Sequence, residues 1–522
     1  MARFVKYNYK QETLLAINFE AQLQAGTFEH AIHYLIDNKL DLSVFHPSFK
    51  NEDTGRPAYD PAILLKIVLF AYSKGITSSR EIEWCCQNNI IFKALSCDTV
   101  PHFTTIAEFV SSRSEEIETI FEQVLLICHE QGLLGNELFA IDGCKQSSNA
   151  SKEWSGTFKE LEEKRAKIKR QIQHHIKEHK ALDQNESRDE ERIKRAKQSI
   201  ETLEKASEKI DKFLKKSEPR MGQGKRKQEV KSNITDNESA KMTTSKGTIQ
   251  GYNGVAAVDK KHQVIIDAQA FGEGQEQHTL QPVIEKVKER YGRLNISEDI
   301  YATGTMVTAD TGFANEANMK YLHENNINGY IPDNQFRRRD PKFSGQKAKY
   351  GKRNQNNSGK KTLAVIPASE FRLDPIKKTC TCPAGEDMWL KKEGLDSQNH
   401  YKLFFVGRLS KCRNCHLKSK CMRNPESANT RKGQGRQVSF ILERKREPSY
   451  TDWMKRRVDS KLGKFIYSHR MSVVEPVFAN IGMNKGLNRF SLRGKKKVNG
   501  QWKLFCVIQN IEKLKNYGAL FA

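Results

Sequence analysis

Two short apolar runs, each closed by an aspartate with a glycine close behind, constrain this chain more than any other feature. Leu138-Phe139-Ala140-Ile141 leads into Asp142-Gly143, and Met306-Val307-Thr308-Ala309 leads into Asp310-Thr311-Gly312. Apolar runs of this length bounded by turn residues predict buried strands. If the strands are neighbours, their C-terminal ends bring both carboxylates to one place. The glycines then allow tight turns and close approach of a substrate. Each aspartate also has a plainer reading as a turn or helix-cap residue, most directly Asp310-Thr311-Gly312 ahead of a predicted helix. A third carboxylate, Glu475, lies in the amphipathic, helix-like stretch around Arg470-Met471-Ser472-Val473-Val474-Glu475-Pro476. Pro476 places it near a helix start or at a kink, and its plain reading is a surface glutamate paired with Lys or Arg. Carboxylates at two strand ends facing one on a helix suit hard divalent cations, which take oxygen ligands and share their sites with phosphate.

The surrounding pattern alternates strand and helix. GTIQGYNGVAAVD and HQVIIDAQAFGEG predict two strands around the turn DKKHQ, and TLQPVIEKVKERYG predicts a helix. A helix over 314–325 and the short strand GYIP follow the second aspartate. Alternation of this kind predicts a mixed α/β layer domain. Residues 1–130 read as short helices, either a DNA-binding module or a packing domain. Between Phe158 and Ile210, apolar residues keep heptad-like spacing on both sides of the polar break DQNESRDEE. This predicts an antiparallel helical hairpin, with one long charged helix or an arm as the alternative. Residues 333–361 are basic and lack an apolar period, as a loop or arm would. The predicted parts are a helical N-terminal domain at 1–130, a core at 135–156 and 240–335, a hairpin insertion at 157–220, a basic, cysteine-rich insertion at 336–460, and closing helices at 461–522.

Charge narrows the partner. Lys+Arg outnumber Asp+Glu by 88 to 63 in 522 residues, a formal charge of +25. An excess of this size points to a polyanion, with nucleic acid favoured over an acidic membrane surface. The N-terminal MARFVKYNYKQET lacks the apolar core of a secretory signal. The longest apolar stretch, AILLKIVLFAY, is too short for a membrane span and contains Lys66. The expectation is a cytoplasmic, reducing compartment, where cysteines serve as thiols or metal ligands.

Five of the 11 cysteines cluster between Cys380 and Cys421. Cys412-Arg413-Asn414-Cys415 is a C-x2-C knuckle, Cys421 follows, and Cys382 supplies a fourth thiolate. Four thiolates suit a closed tetrahedral Zn²⁺ site, whose binding can fold a segment poor in apolar residues. Cys380 and His416 are spare ligands, and free thiols are the alternative. Cys85, Cys86, Cys97, Cys128, Cys144 and Cys506 read as small core residues.

The motifs FAIDG around Asp142, VTADTGF around Asp310 and IYSHRMSVVEPVFANIG around Glu475 resemble those of the DDE transposases of bacterial insertion sequences. The tail NRFSLRGKKKVNGQWKLFCVIQNIEKL and the N-terminal GRPAYDPAILLKIVLFAYSKGITSSREIE resemble the same family. The resemblance implies a ribonuclease-H-like mixed-sheet core. It also implies that Asp142, Asp310 and Glu475 form a triad binding two Mg²⁺ or Mn²⁺ ions. Tyr467 and Arg470 match the family's Tyr-x-x-Arg. Four residues separate Arg470 from Glu475 where a familiar form of the signature has three, and Gly482 stands where that form has Lys, leaving Lys485 as the nearest candidate. Arg470, Lys485, Arg489 and Arg493 are suited to holding phosphates. The implied activity is cleavage and strand transfer at the element's terminal inverted repeats. Double-stranded DNA, both ends and target, would be the partner, a homodimer the active assembly, and the nucleoid of a bacterial cytoplasm the location. A catalytically inactive DNA-binding or architectural protein, and a nuclease that cleaves without joining, are the alternatives.

Overall fold

The computed structural model describes residues 16–49, 57–183, 190–222, 227–244, 247–343, 365–395, 400–431, 433–443 and 449–521. They fall into two compact units. One is built from the chain up to Pro332 together with Ser460 onward, the other from Asp333–Asp459.

In the first unit the strands are β1 (Leu138–Ser147), β2 (Ser155–Gly156), β3 (Ser232–Asn233), β4 (Ala240–Thr244), β5 (Gly247–Asp259), β6 (Ile265–Phe271), β7 (Met306–Ala309) and β8 (Asn328–Tyr330). The main sheet runs β4-β5-β1-β7-β8, with β6 also paired to β5. β1 is antiparallel to β5 but parallel to β7, and β7 is parallel to β8. This is the mixed sheet of a ribonuclease-H-like core. From Gln250 to Asp259 every β5 residue is buried, because helices cover both faces of a central strand.

The outer edge of β6 is not left open. Asn510 accepts from the Ile265 N–H and donates to its carbonyl, both at 2.8 Å. Asn499 treats the backbone of Ala270 the same way. Both asparagines belong to the helix Lys495–Tyr517, buried almost all round, so two side chains replace the missing strand partner. Trp502 of this helix donates its indole N–H to the Val255 carbonyl at 3.2 Å.

The N-terminal helices pack on that same closing helix. Tyr72 of Pro61–Ser73 stacks on Phe505 with ring centroids 5.0 Å apart. Arg290, fully buried, joins Glu118 and Glu122 of Ser114–Glu130 to Asp267 of β6. The N-terminal region therefore shares the core's unit instead of standing apart. The predicted hairpin is present as Phe158–Asp183 and Glu190–Lys216. Leu161, Ile168, Ile172 and Ile210 form its seam, against Ile200, Leu203 and Ile234. Residues 184–189, within the polar break, lie outside the described residues. Among the described residues no helix is long and apolar enough to cross a membrane.

The second unit holds an antiparallel sheet that the sequence reading missed: β9 (Arg372–Asp374), β10 (Thr379–Thr381), β11 (Asp387–Leu395), β12 (Tyr401–Gly407) and β13 (Gln437–Glu443), in the order β13-β12-β11-β10-β9. Phe371, Cys380, Met388, Leu403, Phe405 and Val438 form its core. Arg339 clasps the two ends of the unit. Its guanidinium bonds Asp333 at 2.5 and 3.0 Å and Asp459 at 2.7 and 3.1 Å. Of the predicted basic loop, residues 344–361 lie outside the described residues.

Candidate active site

β1 does not end at Asp142. It continues to Ser147 along β5, while its pairing with β7 stops at Ile141↔Ala309. The parallel partner thus runs out where both aspartates stand, and Asp142 and Asp310 project from adjacent strands at the point of divergence. The Asp142 carboxylate accepts the Gly143 N–H at 2.9 Å. Asp310 occupies the N-cap position of a short 3₁₀ turn, yet its side chain makes no cap hydrogen bond. Asn315 caps the following helix instead, accepting the Asn318 N–H at 2.6 Å. The capping alternative for Asp310 therefore does not describe what its side chain does.

The helix Lys461–Ala479 starts at Ser460, whose hydroxyl accepts the Gly463 N–H at 2.9 Å. It buries Gly463, Ile466, Arg470, Val473, Val474 and Val477, a stripe at helical spacing with one cation in it. Arg470 reaches both aspartates, its Nη1 2.7 Å from Asp142 Oδ2 and its Nη2 3.9 Å from Asp310 Oδ1. Burial works against its charge, but Asp142, Tyr467 and Asp310 outweigh that and hold the guanidinium firmly protonated. The Asp142 carboxyl is pushed up by burial, an effect that Arg470 and the Gly143 N–H oppose and Asp310 adds to.

Of the two placements expected for Glu475, the helix start is not met: the helix runs on through Pro476 to Ala479 and passes into a π-turn, Asn480–Asn484. Pro476 has no N–H for the carbonyl four residues back, that of Ser472. Gln263 fills the gap, donating its side-chain amide to Ser472 O at 2.9 Å. Glu475 itself is exposed. Five residues past Arg470, it lies about 140° around the helix axis. Among the described residues no hydrogen bond or ion pair ties its side chain to another group.

A further carboxylate, one the sequence reading missed, packs against the turn that follows Asp310. Glu276, in the turn after β6, lies 3.5 Å from Lys145 Nζ. Burial raises its carboxyl, Lys145 opposes the shift, and the charges of Asp142 and Asp310 add to it. The segment GEGQEQH carries no periodicity, so nothing in it marks one acidic residue above another.

The predicted phosphate contacts divide. Arg489 and Arg493 are exposed and hook the loop after β1. Arg489 bonds Ser148 O and Asn149 Oδ1, and Arg493 bonds Asn149 O at 2.7 Å. Lys485 is a correction: it is 1% exposed and its ammonium lies 2.6 Å from Glu512. The closing helix captures it, so it offers no surface charge. Arg470 likewise faces carboxylates inside the fold, and Tyr467, half-buried, lies beneath its guanidinium.

In the second unit, Cys382, Cys412, Cys415 and Cys421 line one small cavity. Cys412 Sγ lies 2.8 and 3.0 Å from where a Cβ on Gly407 or Gly435 would stand, so both glycines make room for it. Burial raises the Cys412 and Cys421 thiols, and their sulfur neighbours add to this. Cys380 is a core residue beside Met388 and not a spare ligand, and His416 is exposed. Among the described residues, the group whose metal-competent atoms all lie within 4.8 Å of one another is His174, His175 and Glu178. The cysteines therefore face a common cavity without closing into a tetrahedron. Of the other cysteines, Cys97 is exposed and so departs from the predicted core role.

Two family models match the chain. One, described as a transposase DDE domain, covers residues 381–515, and the other, described as a transposase domain (DUF772), covers residues 17–112. Both are transposase domains, and together they support a DDE transposase of an insertion sequence. The DDE match includes Glu475, the four cavity cysteines and most of the closing helix, while Asp142 and Asp310 lie ahead of it. Among curated proteins no match was found.

Asp142 and Asp310 offer only oxygen, are partly desolvated, and face a cation already, the Arg470 guanidinium. Crowded carboxylates of this kind fit Mg²⁺ or Mn²⁺.

Proposed function

We propose that this transposase cleaves and joins DNA at the ends of its own element, with Asp142, Asp310 and Glu475 holding two Mg²⁺ or Mn²⁺ ions. The observation that carries this reading is the placement of Asp142 and Asp310 side by side where β7 stops pairing with β1. A bound pair of such ions would activate water or a 3′-hydroxyl and stabilise the leaving 3′-oxygen of an in-line displacement.

The chain's own residues supply the rest. Asp142 and Asp310 fix the position of the site on two rigid strands. Arg470 neutralises them when the site is not otherwise charged and can turn its fork to a phosphate when it is. Arg489 and Arg493 present exposed guanidinium groups along the loop after β1, where a phosphodiester backbone could run. Glu475, exposed on the helix that carries Arg470, would be the third carboxylate to hold the ions. Pairing two element ends calls for at least a homodimer in the active complex.

The reading extends to structural zinc. Four thiols on one cavity, with two glycines opened around Cys412, support a Cys382–Cys412–Cys415–Cys421 site for Zn²⁺.

The decisive assay uses full-length protein, Mg²⁺ and labelled element ends. Wild type should cleave and join them, and Asp142→Asn should do neither. A variant that still cleaves and joins like wild type would overturn the assignment. Cleavage without joining by wild type would identify a nuclease, and binding with neither step an architectural protein.

A further inference from the structure

The helical hairpin carries a cluster of donors of its own. On the arm Phe158–Asp183, His174, His175 and Glu178 lie within about one turn. Residues three and four apart on a helix are neighbours, so both rings meet the one carboxylate. His175 Nδ1 lies 3.0 Å from Glu178 Oε2, and His174 Nδ1 lies 3.3 Å from the same oxygen. The rings stand nearly perpendicular, at 88°, with centroids 5.9 Å apart. Two ring nitrogens and a carboxylate oxygen are thus all within 4.8 Å of one another.

The spacing is that of ligands around one ion. Donors about 2.1 Å from a metal stand about 3.0 Å apart at right angles and about 3.4 Å apart at the tetrahedral angle. The two nitrogen–oxygen distances already fall there. The nitrogens can close up by rotation of His174, whose side chain is 70% exposed. His175 also lines a cleft between the arms, with Gln171 beside it and Gln198, Ser199 and Thr202 on Glu190–Lys216. Uncharged amides and hydroxyls of this kind can hold the water that completes a metal's shell. Arg195, also on the cleft, is paired with Glu191 at 3.3 Å.

As an ion pair the cluster contributes little, because exposed pairs on one helix are weak. Both rings can donate to Glu178 only with their protons on Nδ1. With the protons on Nε2, two lone pairs and a carboxylate oxygen face one another, an arrangement that a cation between them relieves. We infer that His174, His175 and Glu178 form a surface site for a borderline divalent ion, Zn²⁺, Ni²⁺ or Co²⁺, with water at its remaining positions. The site shares no residue with the thiol cavity or with Asp142 and Asp310, so it holds or fails independently of them.

The test is calorimetric titration of Ni²⁺ into untagged full-length protein, with absorption followed in parallel and metal-free thermal melts alongside. Wild type should show a binding step that lacks the sulfur-to-nickel charge-transfer band of thiolate ligation. His174→Ala and His175→Ala should each weaken that step by at least the roughly tenfold that loss of even a supporting partner costs. Glu178→His should tighten it, because imidazole suits Ni²⁺ better than a carboxylate does. Metal-free Tm should match wild type in all three variants, because the side chains are exposed. Histidine variants that titrate like wild type would overturn the inference. So would the absence of a binding step in wild type, or a step that carries the sulfur band and therefore belongs to the thiols. If a histidine variant loses affinity and metal-free Tm together, Glu178→His decides: tighter binding upholds the site, and weaker binding refutes it.

Discussion

Arg470 stands between Asp142 and Asp310, 2.7 Å from the first and 3.9 Å from the second. One guanidinium, 8% exposed, thus neutralises carboxylates from two parallel strands and ties the helix Lys461–Ala479 to both. Replacing it with alanine leaves two partly buried carboxylates facing each other. Arg470→Ala should lower unfolding free energy by about 3 kcal/mol, the low end for breaking a buried pair because Asp142 remains partly solvated. Urea unfolding would measure this, and an unchanged midpoint would contradict it. Arg470→Lys should keep more stability than alanine but lose the two-pronged contact.

Stability should depend on pH and on cations in opposite senses. Burial raises the Asp142 and Glu276 carboxyls in the folded protein. Between the unfolded and the raised folded values, the native state binds the protons more tightly. Their contribution to stability is therefore greatest in acid and falls as pH rises through that window. A divalent cation reverses this by favouring the ionised forms. Thermal melts with and without Mn²⁺ should show stabilisation that is small below about pH 4 and grows above it. Stabilisation by Mn²⁺ independent of pH would count against a carboxylate site.

The basic residues near the C-terminus should separate into two groups. Lys485→Met breaks a buried pair with Glu512 and should cost about 3 kcal/mol, leaving the salt dependence of DNA binding as in wild type. Arg489→Ala and Arg493→Ala should do the reverse. Each should weaken binding to any DNA sequence and reduce the slope of log K against log salt by about one. Fluorescence anisotropy across a salt series distinguishes the two patterns.

Zinc at the thiol cavity predicts about one equivalent per chain by elemental analysis. Cys412→Ser and Cys415→Ser should each lower that content and loosen the second unit, visible as faster amide exchange in β11 and β12. Purified protein without zinc and with four freely titrating thiols at these positions would remove the site.

Sequence pattern disclosed the core because β1, β5, β6 and β7 are buried and rich in apolar residues. It failed where structure is made by polar residues. β11, Asp387–Leu395, is mostly exposed and reads as a charged segment. The extension of β1 through Cys144-Lys145-Gln146-Ser147 is only half-buried, so its apolar signal stops at Ile141. Asp142 and Asp310 were legible because apolar strands deliver them. Glu276 was not, because its position depends on room beside Gly312 and on asparagines from a later helix. Lys485 looked like a surface cation because its partner, Glu512, lies far along the chain on a helix that buries both.

The clasp of Arg339 on Asp333 and Asp459 bears on how such a chain could have been assembled. The place where the polypeptide departs from the sheet-bearing unit and the place where it returns are held at a single side chain. In the chain, the second unit is therefore a single insertion into the first. Lengthening, trimming or exchanging that insertion would not alter strand register or the spacing from Asp142 to Asp310. The long gap in sequence between Asp310 and Glu475 is therefore a property of the insertion, and distance along the chain says little about distance within the catalytic unit.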